Sequence, residues 1–177
     1  MKKYIYILTL IIPALVFTSC TESDDEFFPT KAITSNDKIE VNVSGNTLNV
    51  SCNFERLINL GTDYPLDLFL TTGSRKFFFN YSLEKRNSSG NWEFFIPNNV
   101  NATLGENLFG SYISGVQELA ALDTNYEYDT DIILVTGEYR IQIDPKIISA
   151  NSENAVTIII NTTAIGAPGS TLVFNID

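Results

Sequence analysis

The chain has no histidine, and it has only two cysteines, one methionine and one tryptophan among its 177 residues. Because histidine is the commonest general base at neutral pH and the commonest transition-metal ligand, its absence excludes the usual Ser-His-Asp hydrolases and zinc enzymes. Walker-type phosphate loops and serine elbows are absent as well. Glycoside hydrolysis needs only two carboxylates, but the spacing of the acidic residues singles out no pair. We therefore expect a protein that is not an enzyme and that holds no metal and no cofactor.

Basic residues are scarce relative to acidic ones. Eleven lysines and arginines face 21 aspartates and glutamates, which gives a formal net charge of −10 at pH 7. Charge of this sign repels nucleic acids and anionic lipids, so we exclude DNA and RNA as partners. With 44% hydrophobic residues, the chain has enough apolar side chains for one continuous core, and its length suits one domain.

Long apolar runs are limited to the N-terminal segment. Residues 4–17 are predominantly apolar, and this run is shorter than the ~20 residues that span a bilayer. Two lysines precede the run, and the small residue Ser19 precedes Cys20, as in a secretory signal. Acidic residues dominate the next segment, residues 21–26. This order resembles a bacterial lipoprotein signal, and the acidic run resembles the surface-export signal of Bacteroidota-type lipoproteins.

The resemblance implies a processed, lipid-anchored protein. In that family the signal, here residues 1–19, is cleaved, the sulfur of Cys20 carries a diacylglyceryl group, and the new amino terminus is acylated with a chain such as palmitate. Several acyl chains hold a protein firmly, whereas one chain binds weakly. We therefore expect anchoring at the outer-membrane surface, a lipidated acidic linker over residues 20–38 and one domain over residues 39–177. Without the two lysines of the signal, nine cations face 21 carboxylates, and the net charge becomes −12.

The second cysteine, Cys52, has no disulfide partner if Cys20 carries lipid. In residues 48–54 the even positions are apolar and the odd positions are polar. This alternation places Cys52 among the core side chains of a strand, where a thiol is inert. We therefore expect no reactive cysteine in the domain.

From Ile39 onward apolar residues recur with a period of two, which is typical of strands and not of helices. The pattern predicts an all-β domain, namely a single antiparallel β-sandwich of about eight strands, one of them a short strand near residues 66–70. A capping-box pattern at residues 114–117 allows one short helix near residues 115–122.

Residues 134–139 resemble the tyrosine corner of Greek-key sandwiches. In that corner the phenol of a tyrosine at a strand start bonds to the backbone a few residues upstream, and Tyr139 is the tyrosine in this sequence. The resemblance implies an immunoglobulin-like or fibronectin III-like fold. A small barrel is the alternative that the strand pattern leaves open.

Three aromatic residues, Phe69, Phe78 and Phe95, fall on the face opposite their core-directed neighbours. If exposed, they would form a contiguous apolar patch suited to stacking on sugar rings or to packing against a protein. The alternative is that a loop, such as residues 97–123, covers them as part of the core. Trp92 follows the core parity, so we expect it to pack inside.

An acid or amide occurs at every second position of residues 123–131, namely at Asp123, Asn125, Glu127, Asp129 and Asp131. Such oxygens are calcium ligands, but alternate residues of a strand lie about 6.6 Å apart, too far to surround one ion. We expect instead a solvent-facing strand surface, with Tyr126 and Tyr128 buried on the other side.

The sequence supports two functional hypotheses. The first is a non-enzymatic module that binds an extracellular ligand, with glycan as the favoured class, because the family resemblance links such lipoproteins to polysaccharide capture. The second is a structural or adhesin-like interaction module, or an accessory subunit of a surface protein complex, whose patch would contact protein. An open aromatic shelf with polar flanks favours glycan, whereas an unpaired edge strand favours a protein partner.

Overall fold

A computed structural model describes residues 29–98, 100, 102–154 and 156–177. Cys20, the signal at residues 1–19 and the first part of the predicted linker lie outside the described residues. Lipid anchoring therefore stays a prediction. In the part of the chain that the structure describes, no helix has both the length and the apolar character that a membrane crossing requires.

The described residues form sixteen strands, one α-helix and one short 3-10 helix. The strands are β1 (Thr30–Thr34), β2 (Ile39–Ser44), β3 (Thr47–Glu55), β4 (Leu57–Ile58), β5 (Leu66–Asp67), β6 (Lys76–Arg86), β7 (Trp92–Phe94), β8 (Ala102–Leu104), β9 (Glu106–Phe109), β10 (Ile113–Glu118), β11 (Asn125–Ile133), β12 (Gly137–Ile143), β13 (Lys146–Ala150), β14 (Thr157–Asn161), β15 (Ala164–Ile165) and β16 (Thr171–Ile176). Helix α1 covers Leu68–Thr72, and the 3-10 helix covers Pro168–Ser170.

Fourteen strands form one mixed sheet that curls into a half-barrel. Its main path runs β1-β14-β13-β6-β10-β11-β3-β2-β15; β12, β7, β8 and β9 attach at its sides, β16 attaches to β12, and β4 pairs with β5 apart from it. Strands account for 58% and helices for 5% of the structure, which confirms the all-β class. The predicted antiparallel sandwich of eight strands is not what is observed, because β1 with β14 and β2 with β15 pair in parallel.

Strand β6 explains why a count of hydrophobic runs underestimates the sheet. It is 11 residues long, and it pairs with β10 and β13 along its first half but with β7 and β12 along its second. Strands β12 and β13 follow one another along β6, separated by Asp144 and Pro145, because proline has no N–H for the ladder. The Asp144 N–H still donates to the Asn80 carbonyl oxygen at 2.9 Å. The sheet therefore bends around β6 without dividing into two.

Aromatic rings fill the core on the inner side of the curled sheet. The rings of Phe54, Phe77 and Tyr126 contact one another with centroids 4.8–5.5 Å apart. Such pairs add about 0.5–1.5 kcal/mol each beyond the area that they bury. Cys52 lies in the same core at 1% exposure. Burial raises the pKa of its thiol well above the usual value, which agrees with the prediction of an inert core cysteine.

The hydrogen bond of the predicted tyrosine corner is confirmed. The Tyr139 hydroxyl donates to the Val135 carbonyl oxygen at 2.8 Å, across the turn that precedes β12. The ammonium group of Lys85 lies 5.1 Å from the centroid of the Tyr139 ring. The two contacts fix the start of β12 against the second half of β6.

The helix predicted near residues 115–122 is wrong, because β10 occupies Ile113–Glu118. A side chain at Gly115 would place its Cβ 2.7 Å from the Phe79 ring and 2.8 Å from the Tyr128 ring. Glycine is needed here for the close packing of core rings on the strand and not for a helix start. The Ser114 hydroxyl, which suggested a helix cap, donates instead to Asn80 Oδ1 at 2.7 Å.

Of the predicted strand near residues 66–70, only Leu66–Asp67 is a strand, β5, and helix α1 begins at Leu68. The Asp67 carboxylate accepts a hydrogen bond from the Leu70 N–H at 2.9 Å, and Gly73 ends α1 with a φ of 71°. These are the preferred residue types at the two ends of a helix. The alternating leucines of the segment suggested a strand, but the two caps decide the local structure.

The flexible linker predicted over residues 20–38 extends less far than expected. Residues 30–34 form β1, which pairs with β14, and Ile33 of this strand is 7% exposed in the core. Backbone hydrogen bonds hold the strand to β14, and such bonds leave little trace in a sequence pattern. The sheet therefore begins before residue 39.

Candidate functional site

The outward face of β6 carries the side chains that alternate with its core positions. Lys76, Phe78, Asn80 and Ser82 are half-buried on this face, whereas the residues between them are buried. At about 3.3 Å per residue, these four positions span about 20 Å of strand. Three adjoining hollows follow this line, and together we call them the β6 groove.

The first two hollows share residues of β6 and β13. The first contains Phe69 and has a volume of about 300 Å³, and the second contains Phe78 and has a volume of about 430 Å³. Lys76, Ala150 and Asn151 line both. Two of the three predicted site residues therefore lie along one groove.

The third hollow continues the groove toward the break between β12 and β13. It has a volume of about 430 Å³ and is lined by residues that include Asn80, Tyr112, Gln142 and Asp144. Ser114, which lines the second hollow, donates its hydroxyl hydrogen bond to Asn80 at 2.7 Å and so joins the two hollows. The Tyr112 side chain is 49% exposed. This end of the groove offers amide, hydroxyl and carboxylate groups beside an accessible aromatic ring.

Phe78 lies at the middle of the groove. In the sheet it stands directly opposite Val116 on one side and Ile148 on the other, so three apolar side chains form a row across the strands. Glu106 and Asn151 line the same hollow and supply polar edges. The result is an apolar shelf with an aromatic ring at its centre and polar flanks.

Two carboxylates compensate the charge of Lys76 in the groove. The ammonium group of Lys76 lies 3.3 Å from the Glu106 carboxylate and 3.9 Å from that of Glu118. All three side chains are about half exposed, so these pairs contribute little to stability. Their effect is on ligand choice, because the two carboxylates offset the attraction of Lys76 for an anionic ligand.

Phe69 is held by two cations rather than presented as a free shelf. The guanidinium groups of Arg56 and Arg75 lie 5.2 Å and 5.0 Å from the centroid of its ring. Arg56 is itself fixed by Asp67, with nitrogen–oxygen distances of 2.9 Å and 2.6 Å. Phe69 also packs partly against the core. It therefore closes one end of the β6 groove.

The ion pair of Asp67 and Arg56 gives a testable pH dependence. The Arg56 hydrogen bond holds the pKa of the Asp67 carboxyl below its usual value. Because the pKa of this carboxyl is lower in the folded chain than its unfolded value of about 3.9, the ionised carboxylate stabilises the fold at pH values above that value. This stabilisation is lost as the pH falls through the folded-state pKa. Asp67→Asn keeps a helix cap and is expected to lower the free energy of unfolding at pH 7 by at most about 1 kcal/mol.

Asp67→Ala is the matched variant, because it removes the cap of α1 as well, and we expect a loss of about 1–2 kcal/mol at pH 7. Urea unfolding at pH 7 and pH 3 measures both effects. The difference between wild type and Asp67→Asn should shrink at pH 3. A difference that is equal at the two pH values would contradict the assigned ion pair.

Phe95 is not part of the groove, so the expected contiguous patch of three phenylalanines does not form. Its N–H donates to the Leu83 carbonyl oxygen at 2.7 Å, and its ring lies 5.6 Å from that of Tyr139 in an edge-to-face contact. Leu83 lies five residues from Phe78, about 16 Å along β6. Phe95 packs against the core face of the sheet, whereas Phe78 lies on the outer face.

The length of one hairpin loop explains this difference. Arg86 stands opposite Trp92 in the β6–β7 pair, so an odd number of residues, 87–91, joins the strands. Asn87 and Asn91 close the loop by a backbone hydrogen bond of 2.9 Å, and Gly90 has a φ of 83°. With Asn87 and Asn91 as the closing pair, residues 88–90 match the three-residue hairpin loop that has a glycine in the left-handed conformation. The core parity predicted for Trp92 requires an even loop, so the observed odd loop reverses the faces of β7.

Trp92 therefore lies on the outer face and not in the core as predicted. The guanidinium groups of Arg140 and Arg86 lie 4.7 Å and 5.9 Å from its ring centroid. Glu84 accepts from Arg140 Nε at 2.5 Å, and Glu138 accepts from Arg86 at 2.9 Å. The turn residues Asn87 and Gly90 were the signal that could have revealed this placement.

From Asn125 to Asp131 the acidic series lies on one face of β11, as predicted, but only Asp131 is exposed there, and Asp123 lies before the strand. Tyr126 and Tyr128 are buried on the opposite side at 0% and 1% exposure. Asn49 on β3 donates from its amide to Asp129 and to Asp131, at 2.9 Å in each case. Among the described residues, no group of three or more acidic or cysteine side chains is placed to hold a metal ion.

Comparison of the chain with protein-family models, with curated proteins and with solved structures finds no match.

Proposed function

We propose that this protein is a non-enzymatic lipoprotein of the outer-membrane surface that binds an extracellular glycan in the β6 groove. The observation that carries the proposal is the position of Phe78, on an apolar shelf with polar side chains at both edges. Sugar rings have apolar faces that pack on aromatic rings, and their hydroxyl groups pair with amides, hydroxyls and carboxylates. The groove offers both kinds of contact.

The shape of the groove supports an extended ligand. Its outward β6 residues span about 20 Å, and the hollows at its two ends differ in chemistry. The end at Phe69 is bounded by an aromatic ring under two guanidinium groups, whereas the end at Tyr112 is rich in polar groups. A chain of several sugar units fits such a line better than a compact molecule.

Binding is tested with the detergent-solubilised full chain and a panel of neutral and acidic polysaccharides in affinity electrophoresis. Phe78→Ala is expected to raise the dissociation constant for a glycan that wild type binds at least tenfold, which corresponds to about 1.4 kcal/mol. Phe94→Ala is the matched control, because Phe94 is 41% exposed on the outer face of β7 and does not line the groove. Unchanged binding of Phe78→Ala, or no binding of wild type to any glycan, would reject the proposal.

The location at the membrane surface is supported by the sequence around Cys20. Mass spectrometry of the protein made in its own cells tests it directly. We expect the chain to begin at Cys20 and to carry a diacylglyceryl thioether and an amide-linked acyl chain. An intact signal or an unmodified Cys20 thiol would contradict this location.

The second candidate function is a structural or adhesin-like interaction module, or an accessory subunit of a surface protein complex. The observation in its favour is the edge strand β16, which pairs with β12 alone among the described strands. Edge strands recruit extended segments of other proteins. We also propose that the fold is related to immunoglobulin-like domains. The Tyr139 corner supports this relationship, whereas the two parallel strand pairs do not.

A further inference from the structure

Strand β16 lacks the features that usually protect a sheet edge. Its six residues, Thr171–Ile176, include no charged residue and no proline. Among the described strands it pairs only with β12, and the side chain of Val173 is 49% exposed. Native proteins normally place lysine, proline or a bulge on such an edge to prevent pairing with another chain. An unprotected edge of this length is therefore suited to strand addition.

The two faces of β16 differ in chemistry. The even positions point to the core side, where Ile176 is 3% exposed and the Phe174 ring stacks on that of Tyr139 at 5.9 Å. Leu172 and Phe174 are only half-buried, although both pack against the core. A further strand beside β16 would complete the burial of these two side chains.

We propose that β16 pairs with β16 of a second copy of this chain, antiparallel and around a twofold axis. Residues opposite one another in an antiparallel pair share a face, so a twofold register must place even positions opposite even positions. If the axis passes through Phe174, this residue stands opposite Phe174 of the second copy, and Leu172 stands opposite Ile176 of the second copy. On the outer face Val173 meets the Asn175 position. Within β16 these contacts are apolar or neutral, and Thr171 at the start of the strand meets Asp177, the residue after its end.

Charge favours a second copy at this edge over other parts of the surface. The chain carries a net charge of −10, so most contacts between two copies bring like charges together. Strand β16 is free of charge, and Arg140, which stands opposite Val173 on β12, is paired with Glu84 at 2.5 Å. Glu138, which stands opposite Asn175 on β12, is paired with Arg86 at 2.9 Å, so the charges beside β16 are compensated where the two copies approach.

The pairing has a consequence for ligand binding that rests on the proposed glycan function, whereas the pairing itself does not. A dimer carries two β6 grooves. Two sites on one assembly bind a repeating polymer with an avidity about 10²–10⁴ times the single-site affinity when the geometry lets both engage. Loss of the dimer would then weaken binding to a polymer but leave binding to a short oligosaccharide unchanged.

Cysteine cross-linking in membranes of cells that make the full chain tests the pairing. A double variant with Val173→Cys and Asn175→Cys places thiols opposite each other with Phe174 on the axis, and Val173→Cys alone does so with Val173 on the axis. After mild oxidation, we expect most of one of these variants to run as a disulfide-linked dimer. Ile133→Cys is the matched control, because Ile133 is 64% exposed on β11, away from the edge. Dimer no more abundant than in the control, or a disulfide to a different protein, would overturn the proposal.

A second measurement separates lost pairing from lost folding. Val173→Lys places two positive charges near the axis, and we expect the dimer dissociation constant of the detergent-solubilised full chain to rise at least tenfold in sedimentation velocity. Ile133→Lys should leave it unchanged. Both variants should melt within a few degrees of wild type, because both residues are largely exposed. Equal dissociation constants for wild type and Val173→Lys would count against β16 as the interface.

Discussion

Replacing Gly166 with alanine is expected to destabilise the protein by about 2–5 kcal/mol, for two reasons that act together. Gly166 has a φ of +81°, a conformation that disfavours any residue with a Cβ. It also follows β15, which runs beside β2, and an added Cβ would overlap the carbonyl oxygen of Val41. Because that oxygen belongs to the backbone, relief requires β15 to move away from the sheet.

Gly169 provides the control for this prediction. Its φ of +64° is similar, but no atom lies within 4 Å of the position that a Cβ would take. Gly169→Ala should therefore cost only about 1 kcal/mol, the conformational part alone. Urea unfolding of wild type and both variants measures the difference. Equal losses in the two variants would show that the close approach to Val41 is not the cause.

Phe79→Ala is the second large effect, with an expected loss of about 3–5 kcal/mol. Phe79 is fully buried, and its ring packs edge-to-face on Tyr128 and is stacked on Tyr81, with centroid distances of 5.5 Å and 5.7 Å. Removing it leaves a cavity beneath the middle of β6. The two buried tyrosines are joined by a hydrogen bond of 2.9 Å between their hydroxyls, so the cavity also loosens a polar pair.

The neighbouring residue, Phe78, is the natural comparison. It is half-buried on the outer face of the same strand, so Phe78→Ala should cost only about 1 kcal/mol. Thermal unfolding of the two variants under one set of conditions tests the contrast. The outcome also decides whether Phe78→Ala is a clean probe of glycan binding. A large loss in Phe78→Ala would assign its ring to the core and not to the groove.

Much of the fold could be predicted from side-chain alternation. The hairpin of β2 and β3 and the core positions of β6 follow directly from it, because burial of one face dictates a period of two. The Tyr139 corner was also predicted, because residues 134–139 resemble the tyrosine corner of Greek-key sandwiches. These features depend on contacts close in sequence or on a strong pattern.

Other parts of the fold left no such pattern. Strands of two or three residues, such as β15 and β8, are too short to show a period. Parallel pairing of β1 with β14 joins residues more than 120 positions apart through backbone groups that every sequence has. Which side chains of β7 face the core depends on whether the loop after Arg86 has an odd or an even number of residues. The parity predicted for Trp92 corresponds to an even number and was wrong. A shift of one residue moved Trp92 to the opposite face.

For the candidate site, the sequence identified the floor but not the walls. Phe78 was recognised because it interrupts the alternation of polar residues on the outer face. Leu108 and Asn151 come from segments about 30 and 70 residues away, and only the strand order β9-β10-β6-β13 brings them beside it. Phe95 and Phe78 were both predicted to lie on the outer face, but the odd hairpin loop places them on opposite faces of the sheet.

The parallel placement of β1 has a mechanical consequence for a tethered protein. With the proposed lipid on Cys20, nine residues separate the anchor from β1, which limits the reach of the domain to about 33–36 Å from the lipid. Drag on a captured polymer would then pass through Thr30 at the start of β1. Tension along that strand loads its five pairs with β14 simultaneously, from Thr30 with Thr157 to Thr34 with Asn161. Pulling single molecules from the N-terminus should therefore show one abrupt rupture at β1 rather than gradual unzipping.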